Sequence, residues 1–299
     1  MGCFHVLKAR ALNGFGPYIF IAQDNVISAD AIVHEAGHHY LWNATGWWWW
    51  DPPCWDHAPF SQEDDTCAWS EGWADFLPLA VNGDACYDYD EGPCTGNPDE
   101  RHFNLETHGR GDQFPEGDVV EGRVAGALYD QFDSANEGFD SATFGFVPIT
   151  DIAFHGESED RFSMFWESWK ASGQNKHNAV RAIYQNTIDY DGAPRFDLPL
   201  PDVTVLQGIS YPHIIDLWAF TGDDESTDPE LSYQITGVSD WHCGASLDGR
   251  WVNVIPQPGW LGQCIVTLRV SDSFKTAEDV FQVTVAPVQS WMHLPLVFR

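Results

Sequence analysis

The sequence predicts two folds in one chain: a mainly α-helical α+β domain, then an all-β sandwich. Three observations carry this. Apolar residues recur at helical spacing up to about residue 190. Beyond Pro194–Pro201, short β-branched and aromatic runs alternate with turn residues. Six cysteines fall as three pairs of sequence neighbours, 54 with 67, 86 with 94 and 243 with 264. The expected boundaries are 1–197, 198–288 and a tail at 289–299.

Each element has a local reason. Tyr18-Ile-Phe-Ile-Ala22 reads as a strand. Ser28 offers a cap and Asp30 a first-turn acid for a helix through Ala31–Leu41, which stops near Gly46. A loop rich in Trp, Pro and Cys leads to a second helix from Thr66 to about Leu79. Residues 82–117, full of Asp, Gly, Pro and Asn, read as one long irregular stretch. A third helix spans about 118–133, with Val120, Val124, Ala127, Leu128 and Gln131 on one face. A fourth covers about 158–172 with the stripe Phe162, Phe165, Trp166 and Trp169. Asn175 caps a fifth. Strands follow around Val203, Ile214, Leu231, Trp251, Cys264 and Val280.

Composition bounds the function. The net charge of −31 argues against nucleic acid and against an anionic membrane surface as natural partners. No apolar run is long enough to insert in a membrane. The acid excess, 30 Asp and 15 Glu, suits a soluble secreted protein kept monomeric by self-repulsion; adaptation to salt or to a calcium-rich exterior is the alternative. Neighbouring cysteines closing short loops suit disulfides in an oxidising compartment, with Cys54, Cys67, Cys86, Cys94, Cys243 and Cys264 as the candidates and Cys3 left over. Met1–Arg10 lacks an apolar export signal, so the expectation is an exported bacterial protein whose signal and upstream segment lie outside this chain.

The chemistry concentrates at His34-Glu35-Ala-Gly-His38. On a helix, residues four apart share a face, so both imidazoles can reach one ion, with Glu35 beside them as a proton acceptor. A catalytic zinc takes three protein ligands and keeps one open position. No third histidine follows at close spacing, and Glu71 on the second helix is the carboxylate candidate. Asp75, four residues on, can accept the free ring N–H of a ligand histidine. The alternative for Glu71 and Asp75 is a solvated acidic stripe, against which Trp69, Trp73 and Phe76 speak.

His34–His38 followed by Ser70-Glu71-Gly72-Trp73-Ala74-Asp75-Phe76 resembles the gluzincin metallopeptidases, the thermolysin and fungalysin clan. Glu121-Gly-Arg-Val-Ala-Gly-Ala-Leu-Tyr-Asp130 is similar to a later helix of that clan. The resemblance covers roughly residues 18–190 at motif level. It implies a zincin-type domain, a bound zinc ion, a protein or peptide substrate lying along an edge strand such as Tyr18–Gln23, and Glu35 as general base. The clan places a histidine before the later helix to hold the oxyanion, whereas this chain has Asp118 there. His108, His57, Tyr40 and Arg123 are the substitute donors, and the sequence leaves the choice open. That departure motivates the competing reading, an inactive metallopeptidase fold serving adhesion or binding.

Other features carry less chemistry. His39 lies off the ligand face and reads as structural. Trp47–Trp50 suits a substrate wall or a packed lid equally. Asp84, Asp88, Asp90 and Asp99 are a candidate calcium loop, but without EF-hand spacing a solvated loop is favoured. The second domain resembles Ig-like, PKD and cadherin-like modules, with Asp223, Asp224, Asp228 and Asp272 as a further calcium candidate. The tail Leu294–Arg299 is similar to a short terminal motif on exported proteins of some filamentous bacteria.

Overall fold

A computed structural model describes residues 28–45, 54, 57–88, 94, 102–106, 114–155 and 160–288, with the side chain of Trp42 left out. The expected strand at Tyr18–Ala22, the Trp47–Trp50 run, His108, Asp90, Asp99, Cys3 and the tail lie outside those residues. The chain divides into two compact units, Met1–Asp191 and Gly192–Arg299. The sequence placed this division at 197/198. The earlier break has a local cause: the Gly192 N–H donates to Glu225, and Arg195–Phe196 pairs with Thr221–Gly222, so this segment belongs with the strands that follow.

The first unit is built on helices α1 (Ala29–Thr45), α2 (Asp65–Asn82), α3 (Glu121–Phe132), α4 (Phe146–His155), α5 (Phe162–Ala171) and α6 (Lys176–Gln185). Ser28 Oγ accepts from the Ala31 N–H at the start of α1. Asp64 caps α2 and Asn175 caps α6 through the same kind of side-chain bond. α2 runs on through Pro78 and stops at Gly83, whose φ of 66° closes the helix with an N–H to the Leu79 carbonyl. α4 was not expected from the sequence. Two short strands, β1 (Cys86–Asp88) and β2 (His102–Asn104), pair antiparallel within the stretch read as irregular.

α2 is the central helix, since every residue from Cys67 to Leu79 is buried. Trp69, Trp73 and Phe76 pack with Phe162, Phe165 and Trp169 in one aromatic core. Full burial of a side chain such as Phe76 contributes roughly 1.5–3 kcal/mol. The Trp73 indole N–H donates to the Gly37 carbonyl and so ties α2 to α1. α3 approaches α2 closely because Gly72 has no side chain: a Cβ there would meet the Glu121 carbonyl and Val124 Cβ, both at 2.7 Å.

The second unit holds two larger sheets on a shared core. One has the order β4 (Val203–Leu206), β11 (Thr276–Ala286), β10 (Gly262–Ser271), β7 (Ser232–Val238); the other has β5 (Tyr211–Asp216), β9 (Trp251–Val254), β8 (Ala245–Asp248). A third, two-stranded sheet joins β3 (Arg195–Phe196) and β6 (Thr221–Gly222). Alternate residues of β10 and β11 point inward, placing Val266, Leu268, Phe281 and Val283 against Ile215, Val252 and Val254. Disulfides join Cys54 to Cys67, Cys86 to Cys94 and Cys243 to Cys264. Among the described residues no helix is long and apolar enough to cross a membrane.

Gly72→Ala tests the close approach of α2 and α3. Overpacking at this contact should cost about 1–3 kcal/mol in urea unfolding, and unchanged stability would show that the helices can part without cost.

Candidate metal centre

Three helices and one loop converge on a small polar cluster inside the first unit. α1 brings His34, Glu35 and His38, and α2 brings Glu71 and Asp75. Helical spacing puts His34 and His38 on one face and Glu71 and Asp75 on another, and the packed helices turn these faces together.

Three acceptor atoms meet at the centre. Glu71 Oε2 lies 2.9 Å from His38 Nε2 and 3.3 Å from His34 Nε2, and the two imidazole nitrogens are 3.2 Å apart. Lone pairs this close repel unless a proton or a cation lies among them. Ligands of a tetrahedral ion bound at about 2.0–2.1 Å stand about 3.3–3.4 Å apart, so this triangle fits one face of such a shell. The donor set of two imidazoles and one carboxylate leaves a fourth direction open.

The surrounding bonds orient the ring nitrogens. His34 Nδ1–H donates to Asp75 Oδ1 at 2.9 Å, which turns the Nε2 lone pair toward Glu71. His38 Nδ1 lies 3.3 Å from Ser70 Oγ, directing its Nε2 to the same point. Burial works against charge on His34, yet Asp75 and Glu71 hold its ring well above the usual histidine range. Burial likewise opposes charge on Glu71, but His38, His57 and His34 hold that carboxyl well below the usual range. A bound cation would replace the imidazole protons in this role.

Glu35 is fully buried, and neither of its carboxylate oxygens has a hydrogen-bond partner among the described residues. Burial raises its affinity for a proton, partly offset by His34 and His38. An unpartnered buried carboxylate is costly and indicates a group kept open for a transient partner.

His57 enters from the loop before α2. Its Nε2 lies 3.8 Å from Glu71 Oε2, while its Nδ1 donates to Glu121 Oε2 at 2.8 Å. Burial opposes its charge, but Glu71 and Glu121 raise its proton affinity above the usual histidine range. The Cys54–Cys67 bridge pins this loop to α2 one turn before Glu71. The Gly122 N–H also donates to the Pro59 carbonyl, fixing the loop to the start of α3.

The other sequence candidates lie elsewhere. Tyr40 is exposed on α1. Arg123 is buried, donates to the Pro115 carbonyl and stacks over Phe60. Asp118 accepts from the Tyr190 hydroxyl. His39 bonds Asn43 away from the cluster. Glu121, which the sequence marks only as the opening of a helix motif, is the carboxylate that meets His57.

Residues 12–187 match the sequence model of the family described as the Mycolysin C-terminal domain. No curated protein matches the chain. Solved structures similar to part of it include an endo-fucoidan hydrolase of glycoside hydrolase family 107, 21% identical with a TM-score of 0.29 over 36% of this chain and 15% of that one. The human desmocollin-1 ectodomain is 16% identical with a TM-score of 0.27 over 33% of this chain and 21% of that one. The chain thus spans about a fifth or less of these structures, and scores this low define no shared fold.

A metal ion held by this triangle should be bound about 10–100-fold more weakly in Asp75→Asn, which releases His34 from its orientation. Competition with a chromogenic chelator reads this directly, and an unchanged affinity would show that Asp75 does not govern the ligand.

Proposed function

The chain belongs to the Mycolysin C-terminal domain family, and from that premise we propose that it is a secreted zinc metallopeptidase of gluzincin type. The observation that carries this reading is the triangle of His34, His38 and Glu71 beside the unpartnered, buried Glu35. The three disulfides agree with an oxidising compartment. The β-sandwich would serve as an appended Ig-like or cadherin-like module, a spacer without chemistry of its own.

His34, His38 and Glu71 would hold the ion. Zinc, when bound, supplies a Lewis acid that polarises the scissile carbonyl and makes water acidic enough to attack near neutral pH. Glu35 takes the proton from the attacking water and passes it to the leaving amine. Its burial suits both steps, since a carboxyl with a raised proton affinity both accepts and returns a proton readily. Asp75 and Ser70 keep the two imidazoles turned inward. His57 is the donor for the developing oxyanion: with Nδ1 committed to Glu121, its Nε2–H points toward the centre. His57 would thus fill the role for which Asp118 has no proton to give.

Glu35→Gln should lower casein cleavage about 10²–10⁴-fold while one zinc per chain is retained; undiminished cleavage would remove Glu35 from the mechanism. His57→Ala should lower kcat about 10²–10³-fold with little change in KM. If KM rises instead and kcat holds, His57 binds substrate in its ground state. A wild-type protein that binds zinc yet cleaves nothing in a broad peptide library would favour the adhesion reading.

A further inference from the structure

A second set of carboxylates lies at the far end of α3. Glu106 follows β2, Asp130 sits in the last turn of α3, and Glu137 lies in the loop toward α4. One oxygen from each can be chosen so that all lie within 4.8 Å of one another. Asp133 and Asp140 belong to the same neighbourhood, since both repel charge on Glu106. The distance along α3 from Glu121 to Asp130 is about 13 Å at 1.5 Å per residue, so this cluster is separate from the first.

The cluster is built. Leu105 can press onto α3 because Gly126 lacks a side chain: a Cβ there would meet the Leu105 carbonyl at 2.7 Å and clash with Asn186 Oδ1. Leu105 is also held by its N–H to the Ala85 carbonyl. Asn186 donates to Asp130 Oδ2 at 2.7 Å, leaving Oδ1 for the cluster. Gln185 braces the loop, donating to the Glu137 carbonyl and accepting from the Phe139 N–H. The Ala142 N–H takes one oxygen of Asp140.

Asp130 is fully buried and Asp140 nearly so, yet Asp130 Oδ1 and Asp140 Oδ2 have no hydrogen-bond partner among the described residues. The same holds for Glu106 Oε1, Asp133 Oδ1 and Glu137 Oε1. Unpartnered buried oxygens on all three clustered carboxylates are far costlier than a solvated acidic loop. We propose that Glu106, Asp130 and Glu137 bind a calcium ion. Oxygens bound to one calcium at 2.3–2.6 Å are at most about 4.6–5.2 Å apart, which the observed cluster satisfies. The all-oxygen donor set suits a hard cation and not zinc. The ion would clamp the 102–106 segment to the end of α3 and thereby support the helix that carries Glu121.

The test uses the full chain, freed of divalent ions on a chelating resin and resupplied with one equivalent of zinc. Calorimetric titration with calcium chloride should show a binding heat, and calcium should raise Tm. Asp130→Asn and Glu137→Gln should each weaken calcium binding at least tenfold with zinc content unchanged by mass spectrometry. Absence of calcium heat with an unchanged Tm overturns the proposal. Wild-type calcium affinity in Glu137→Gln, a loop variant expected to fold, overturns it as well, whatever Asp130→Asn does, because the ion then lies elsewhere.

Discussion

The convergence of two imidazole nitrogens and one carboxylate oxygen within 3.3 Å is the constraint on which the first unit depends. Nothing about a helical core requires three acceptors to face one another, and electrostatics opposes it. The fold nevertheless brings them together through bonds made away from the triangle. Asp75 turns His34, Ser70 meets His38, and the Trp73 indole fastens α2 to α1. The central position of α2 follows from its sequence, which is apolar on almost every side and buries Glu71 and Asp75 with it.

The segment His57–Phe60 before α2 is the second determinant. Its described anchors are the Cys54–Cys67 bridge on one side and the bond between Gly122 and Pro59 on the other. These fasten it to α2 and α3, the two helices that supply the carboxylates His57 meets. The disulfide therefore bears on site geometry as well as on unfolded-chain entropy. Reduction would release one end of the loop that holds His57, directly beside the Glu71 carboxylate.

Legibility in the sequence followed the range of the forces involved. The face shared by His34 and His38, and that shared by Glu71 and Asp75, are consequences of four-residue spacing on a helix and need no tertiary information. Asn175 and Ser28 could be read as caps because capping is local. The pairing of His57 with Glu121 spans 64 residues and depends on loop closure, which no periodicity encodes. α4 is hard to read from the sequence because Pro148 falls in its first turn and its buried residues, Ile149, Ile152 and Ala153, are few. β1 and β2 are three residues each, too short to show alternation. The acidic cluster at Glu106, Asp130 and Glu137 is likewise long-range, assembled by Gly126 and Asn186.

X-ray absorption at the zinc edge of the purified, zinc-loaded chain tests the central claim most directly. The account predicts a first shell of nitrogen and oxygen at about 2.0–2.1 Å with imidazole scattering from two histidines, lost when His34 and His38 are both replaced by alanine. A sulfur shell near about 2.3 Å, or an unchanged spectrum in that double variant, would contradict it.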